Sequence, residues 1–128
     1  MKYLLDTHSL IWFLSGDAQL SDHAVHLMEN EENELLVSIA SLWEMAIKLG
    51  VGKLNLERPF EELFPEQLAI NSIELLGITI EHLKIVGSLP FHHRDPFDRL
   101  LIAQALIESL SIISMDNAFD RYGIKREW

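Results

Sequence analysis

The sequence has no cysteine, which excludes disulfide frameworks and thiolate-held metal centres. It also has no run near the roughly 20 uninterrupted apolar residues that a membrane-spanning helix needs. Internal repeats, low-complexity tracts and Gly-, Ser- or Pro-rich linkers are missing, so one domain over residues 1–128 is expected. Basic residues are scarce: ten Lys and Arg stand against twenty Asp and Glu, a formal net charge of −10. That balance is awkward for a nucleic-acid protein, because Lys and Arg supply most of the affinity for phosphates. Either nucleic acid is not the target, or the acidity is concentrated where divalent cations reverse the local sign. An acidic surface equally suits a basic partner segment. The opening MKYLLDTHSLIWFL sets one Lys before an apolar run. Asp6 and His8 interrupt that run and no small-residue cleavage site follows, so a cytoplasmic protein without a signal peptide is expected.

What is present is a core. Apolar residues make up 48% of the chain, enough for an ordinary globular interior. Short apolar runs at Lys2–Leu5, Glu34–Ser38, Ile73–Leu75, Ser111–Ser114 and Ile124–Arg126 are read as strands. Between them, helices are expected over Thr7–Leu14, from the cap Ser21 to Asn30, over Ile39–Leu49 and over Thr79–Val86. The third of these should stop at Gly50 and Gly52. Pro59 should open another helix that breaks near Pro65 and resumes to Ala69. Leu89–Arg94 reads as a loop. The clearest punctuation is Asp95 as N-cap with Pro96 at the first helical position, ahead of apolar residues from Leu100 to Leu110. A helix apolar on nearly every face should be central and buried. A helical turn is expected around Asn117–Tyr122. Strands alternating with helices imply an α/β fold, with a sheet of four or five mostly parallel strands flanked by helices.

Carboxylates fall at telling places in that pattern. Asp6 directly follows the first strand, Glu44 lies about a turn beyond the second, Asp116 follows the strand ending at Ser114, and Asp98 sits in the first turn of the buried helix. Parallel strands end on one edge, where open α/β folds place their ligand sites. These four acids should therefore converge. Like charges at close range repel and raise one another's pKa values. A hard divalent cation removes that penalty, and oxygen ligands suit magnesium. The competing reading is that each acid merely caps a helix. Ser41-Leu42-Trp43-Glu44 fits a capping box, and Asp95-Pro96-Phe97-Asp98 fits one more loosely. For Asp95 the cap is the better reading.

Together, Leu4-Leu5-Asp6-Thr7-His8, Ser41-Leu42-Trp43-Glu44, His93-Arg94-Asp95-Pro96-Phe97-Asp98-Arg99 and Ser114-Met115-Asp116 with Phe119-Asp120 resemble the PIN domain. The closest likeness is to PIN proteins that form the toxin half of VapBC-type toxin–antitoxin pairs. It spans essentially the whole chain in order and spacing. The resemblance implies a ribonuclease that hydrolyses RNA with metal-activated water and needs Mg2+ or Mn2+. Asp6 and Asp98 would hold metal. Glu44 and Asp116 would hold a second ion or act on water. Asp95 and Asp120 would support these acids from one step away, and Thr7 would donate its hydroxyl to Asp6 or to the scissile phosphate. A homodimer is implied, held inactive by a small antitoxin whose segment brings a basic side chain into the acidic cleft.

Arg94 and Arg99 flank the acidic pair and are candidate phosphate clamps. For Arg99 the plainer alternative is a salt bridge to a neighbouring carboxylate. Trp12, Trp43, Phe13 and Leu10 are read first as core and only second as base-stacking surfaces. His92 and His93 lie in a loop near the expected site and could be metal ligands or a general base, with a phosphate contact equally reasonable. Lys48 should pair with Glu44 one turn away. Two other functions compete with the nuclease reading. One is a metal-dependent phosphatase, disfavoured because His8 stands where a companion Asp is wanted. The other is a non-enzymatic acidic interaction module.

Overall fold

The computed structural model describes residues 1–128. In chain order it contains β1 (Lys2–Leu5), α1 (Thr7–Ser15), α2 (Asp22–Glu29), β2 (Glu34–Ser38), α3 (Ile39–Gly50) and α4 (Phe60–Ile70). There follow β3 (Ile73–Leu76), α5 (Ile80–Ser88), α6 (Pro96–Glu108), β4 (Ser111–Ile113), a 3-10 turn (Asn117–Tyr122) and β5 (Arg126–Glu127). The five strands form one sheet in the order β3-β2-β1-β4-β5. Every pairing is parallel. Leu5 pairs with Val37 on one side and Ile113 on the other. Asp6, Ser38 and Ser114 therefore lie at the same level along the sheet. The order reverses direction between β1 and β4, the crevice where this architecture binds ligands.

Alternation along the strands sorts the core into two layers. Tyr3, Leu5, Leu35, Val37, Ile73 and Ile113 face α1–α4, meeting Leu10, Ala24, Leu42, Met45 and Phe64. Leu4 and Ile112 face the other way, onto Leu101, Ile102 and Ala105 of α6 and onto Phe119. The expectation that α6 is central holds for its middle, where Arg99 through Ala105 are buried, while Leu106 and Ile107 are open to solvent.

Several local expectations need correction. The N-cap of α3 is Ser38, whose side chain accepts the Ala40 N–H at 3.0 Å, so Ser41 to Glu44 form no capping box. Those two residues lie inside the helix, free to serve the site. The same helix runs through Gly50, and the left-handed residue is Gly52 at φ 77°. α4 continues unbroken through Pro65. α5 carries a capping box that sequence reading did not foresee: Thr79 Oγ1 accepts from His82 N–H, and His82 Nδ1 accepts from Thr79 N–H. Trp43 is not core. It is 58% exposed and packs edge-to-face with Phe97, ring centroids 5.0 Å apart.

Candidate metal and active site

Asp6 is buried at the carboxyl end of β1 and caps α1. Its Oδ1 accepts the Ser9 N–H at 2.7 Å. Its Oδ2 accepts the hydroxyl of Ser114, which in turn accepts the Asp116 N–H at 3.0 Å. The cap reading and the site reading of Asp6 are thus compatible, since each oxygen keeps a lone pair after accepting one bond. The Asp116 side chain caps the 3-10 turn through the Ala118 N–H. Parallel register explains the linkage: Ser114 follows Ile113, the partner of Leu5, and so lies beside Asp6.

Glu44 projects from the second turn of α3. Thr7 Oγ1 donates to Glu44 Oε1 at 2.7 Å and lies 3.0 Å from Ser41 Oγ. Thr7 therefore holds Glu44 and does not bond Asp6. Lys48 pairs with Glu44 Oε2 at 3.3 Å, as the i,i+4 spacing foretold.

Asp98 lies in the first turn of α6. Burial raises its carboxyl from 3.8 to about 7, with the charges of Asp95, Asp6 and Glu44 pushing the same way and His93 opposing. The charges of Asp6 and Glu44 are thus felt at Asp98. His93 Nε2 bridges Asp98 Oδ2 at 2.9 Å and Asp116 Oδ2 at 3.2 Å. One ligand atom from each of His93, Asp98 and Asp116 fits within 4.8 Å. His93 Nδ1 accepts the Asp95 N–H at 3.2 Å, which turns Nε2 toward Asp98 and Asp116. Its place among them is closer than the sequence suggested. The signal was there: two histidines just before a helix that opens with acids.

Asp95 is a cap, accepting from the N–H groups of Phe97 and Asp98 at 2.8 and 3.2 Å, and its charge also helps raise the Asp98 carboxyl. Asp120 stands outside the cluster. It is gripped by both Nε and Nη2 of Arg126, at 2.9 and 3.1 Å, and Arg126 reaches on to the Ser114 carbonyl. Arg99 requires the plainest correction. It is 6% exposed, its guanidinium donates to the carbonyls of Pro90, His93, Val86 and Leu89, and Phe91 stacks on it at 4.2 Å. It neither clamps phosphate nor pairs with an acid; it ties the loop carrying His93 to the end of α5. Arg94 is exposed.

Fold and site together define a doubly wound α/β protein with carboxylates gathered past the ends of its central strands. The PIN-domain family profile matches residues 3–125, and the chain belongs to that family. Similar solved structures include VapBC2 from Rickettsia felis bound to a promoter DNA fragment, with a TM-score of 0.72 at 18% identity over 99% of this chain and 98% of that one. DNA-bound VapBC from Salmonella typhimurium gives 0.72 at 19% identity, covering 99% and 97%. FitAcB from Neisseria gonorrhoeae gives 0.66 at 18%, covering 97% and 95%. Such identities speak to fold alone. No curated protein matches the sequence. No helix is long and apolar enough to cross a membrane.

Proposed function

We propose that this chain is a divalent-metal-dependent ribonuclease, acting in the cytoplasm as the toxin half of a toxin–antitoxin pair. One observation carries the reading: half-buried Asp98 lies with His93 and Asp116, ligand atoms within 4.8 Å of one another, and neighbouring acids help hold its carboxyl up to about 7. A fold that keeps like charges together at that cost suits a hard cation. Ligand atoms of His93, Asp98 and Asp116 lie within 4.8 Å of one another, and carboxylate oxygens from Asp6 and Glu44 would complete a hard donor set without sulfur. Magnesium or manganese there would supply an acidified water and offset charge on the phosphodiester. Asp6 and Asp98 are the principal holders, with Glu44 and Asp116 taking a second ion or orienting water. Ser9 and Ser114 fix the Asp6 carboxylate, and Thr7 fixes Glu44. Arg94, open to solvent beside the cluster, is the basic side chain best suited to touch phosphate.

Family membership supports the nuclease class, and the likeness to VapBC complexes supports an antitoxin partner. An apolar groove of about 510 Å³ lined by Ile11, Leu14, Met45, Leu56, Leu63 and Phe64 offers that partner a seat. A basic side chain of the partner would enter the acidic cleft. The test is direct. Protein purified free of antitoxin should cut RNA with magnesium, stop with chelator, and lose activity in Asp6→Ala and in Asp98→Asn. Cleavage that persists in both folded variants would overturn the reading.

A further inference from the structure

A cavity of about 400 Å³ opens beside the acidic cluster, sharing Asp6 and Asp116 with it and lined otherwise by His8, Trp12, Met115 and Asn117. Those four differ from the rest of the site. His8 is exposed on the first turn of α1, its ring 5.6 Å from that of Trp12 and tilted by 40°. Trp12 is half-buried and backed by Trp128 at 6.0 Å. Met115 is 55% exposed despite being apolar. Asn117 is exposed, and its side-chain amide bonds nothing in the chain. His8, Met115 and Asn117 belong to neither core layer.

We propose that this cavity receives one unpaired base of the RNA, adjacent to the phosphate being cut, and that Asn117 and His8 select which base. The proposal rests on the ribonuclease reading. Single-stranded RNA is recognised by splaying a base onto an aromatic face and reading its edge with hydrogen bonds. The His8–Trp12 pair and the Met115 side chain supply the face, and the Asn117 amide supplies a donor and an acceptor together. The cavity lies within the range of about 300–1,000 Å³ typical of small-ligand sites. Charge points the same way. A chain with ten basic residues and twenty acids has little phosphate neutralisation to offer, so stacking must carry more of the affinity.

The test measures cleavage of short single-stranded RNAs, with magnesium, in which the bases flanking the cut are varied. Asn117→Ala should narrow the rate ratio between best and worst base by about tenfold, the scale of one lost base-edge reading. His8→Ala should do likewise if it folds as the wild type does, by circular dichroism. In parallel, the metal-free protein is titrated with the four ribonucleosides, which avoid phosphate repulsion. Saturable, base-dependent quenching of tryptophan fluorescence that weakens about tenfold in His8→Ala is expected. If the wild type cuts RNA and both variants keep its base preference, the base pocket is refuted and the ribonuclease stands. If no RNA is cut but the nucleoside quenching holds, the ribonuclease falls and the pocket stands. Absence of quenching refutes the pocket in either case.

Discussion

Replacing Asp98 by Asn should make the metal-free protein more stable at neutral pH, although it removes a side chain the proposed chemistry needs. The folded carboxyl sits at about 7 and the free one at 3.8, chiefly because of burial, then because of the charges of Asp95, Asp6 and Glu44. Between those values the unfolded chain has released a proton that the folded chain keeps. Stability contributed by the neutral carboxyl is therefore full below about pH 4 and lost as pH rises through about 7. The separation, about three pH units, amounts to about 4 kcal/mol at 1.36 kcal/mol per unit. The side chain is 22% exposed, so solvent screens part of this. An effect of about 2–4 kcal/mol is expected at pH 8. Asn cannot ionise and escapes it. Urea unfolding with chelator at pH 5 to 8 should show wild-type stability falling with pH and the variant nearly flat, crossing above it. Asp120 and Glu127 do not disturb that window. Hydrogen bonds from Arg126 and from His23, respectively, hold them below the usual carboxylate range. Their contribution is lost only at more acidic pH. A variant that is less stable at pH 8, or that keeps the wild-type slope, would refute the electrostatic account of the site.

Magnesium or manganese at a hundred times its dissociation constant should stabilise the wild type by about 2.7 kcal/mol through linkage, seen as a rise in Tm. Asp98→Asn should lose most of that rise, whereas a protein whose acids were only caps would show none to lose. Arg99→Ala should destabilise by about 3 kcal/mol or more in urea, because four carbonyls lose their shared donor. Arg99→Lys should recover only part, since an ammonium cannot span that fan of acceptors. Thr7→Val should lower kcat about tenfold at nearly unchanged KM by releasing Glu44, with RNA cleavage under saturating substrate as the measure. Trp43→Gln should change stability by less than about 0.5 kcal/mol, as the ring is mostly in solvent.

Much of the fold was legible in local pattern. β2 at Glu34–Ser38 and the capped start of α6 at Asp95-Pro96 needed only periodicity and punctuation. Errors came where one residue type serves two masters. Ser41 and Glu44 have capping-box spacing, yet β2 runs directly into α3 at Ser38, so the box fell inside the helix. Pro65 looked like a break, but α4 continues through it with Phe64 and Leu68 packed in the core. Arg99 carried the right charge for phosphate and was spent on carbonyls instead. His93 was undervalued because nothing local reveals that its Nε2 meets acids from two separate elements.

Sequence alone determined the alternation of strand and helix, the parallel sheet, and the placement of acids just past strand ends. These are properties of neighbours along the chain, set by side-chain periodicity and capping. Tertiary structure decided which of those acids feel one another, which cations remain free, and that a cavity with an aromatic wall lies beside them. Those outcomes depend on burial and on register between distant strands, such as Leu5 with Ile113. Burial and strand register are set by packing across the whole domain, where a charge's energy depends on what surrounds it more than on what it is bonded to.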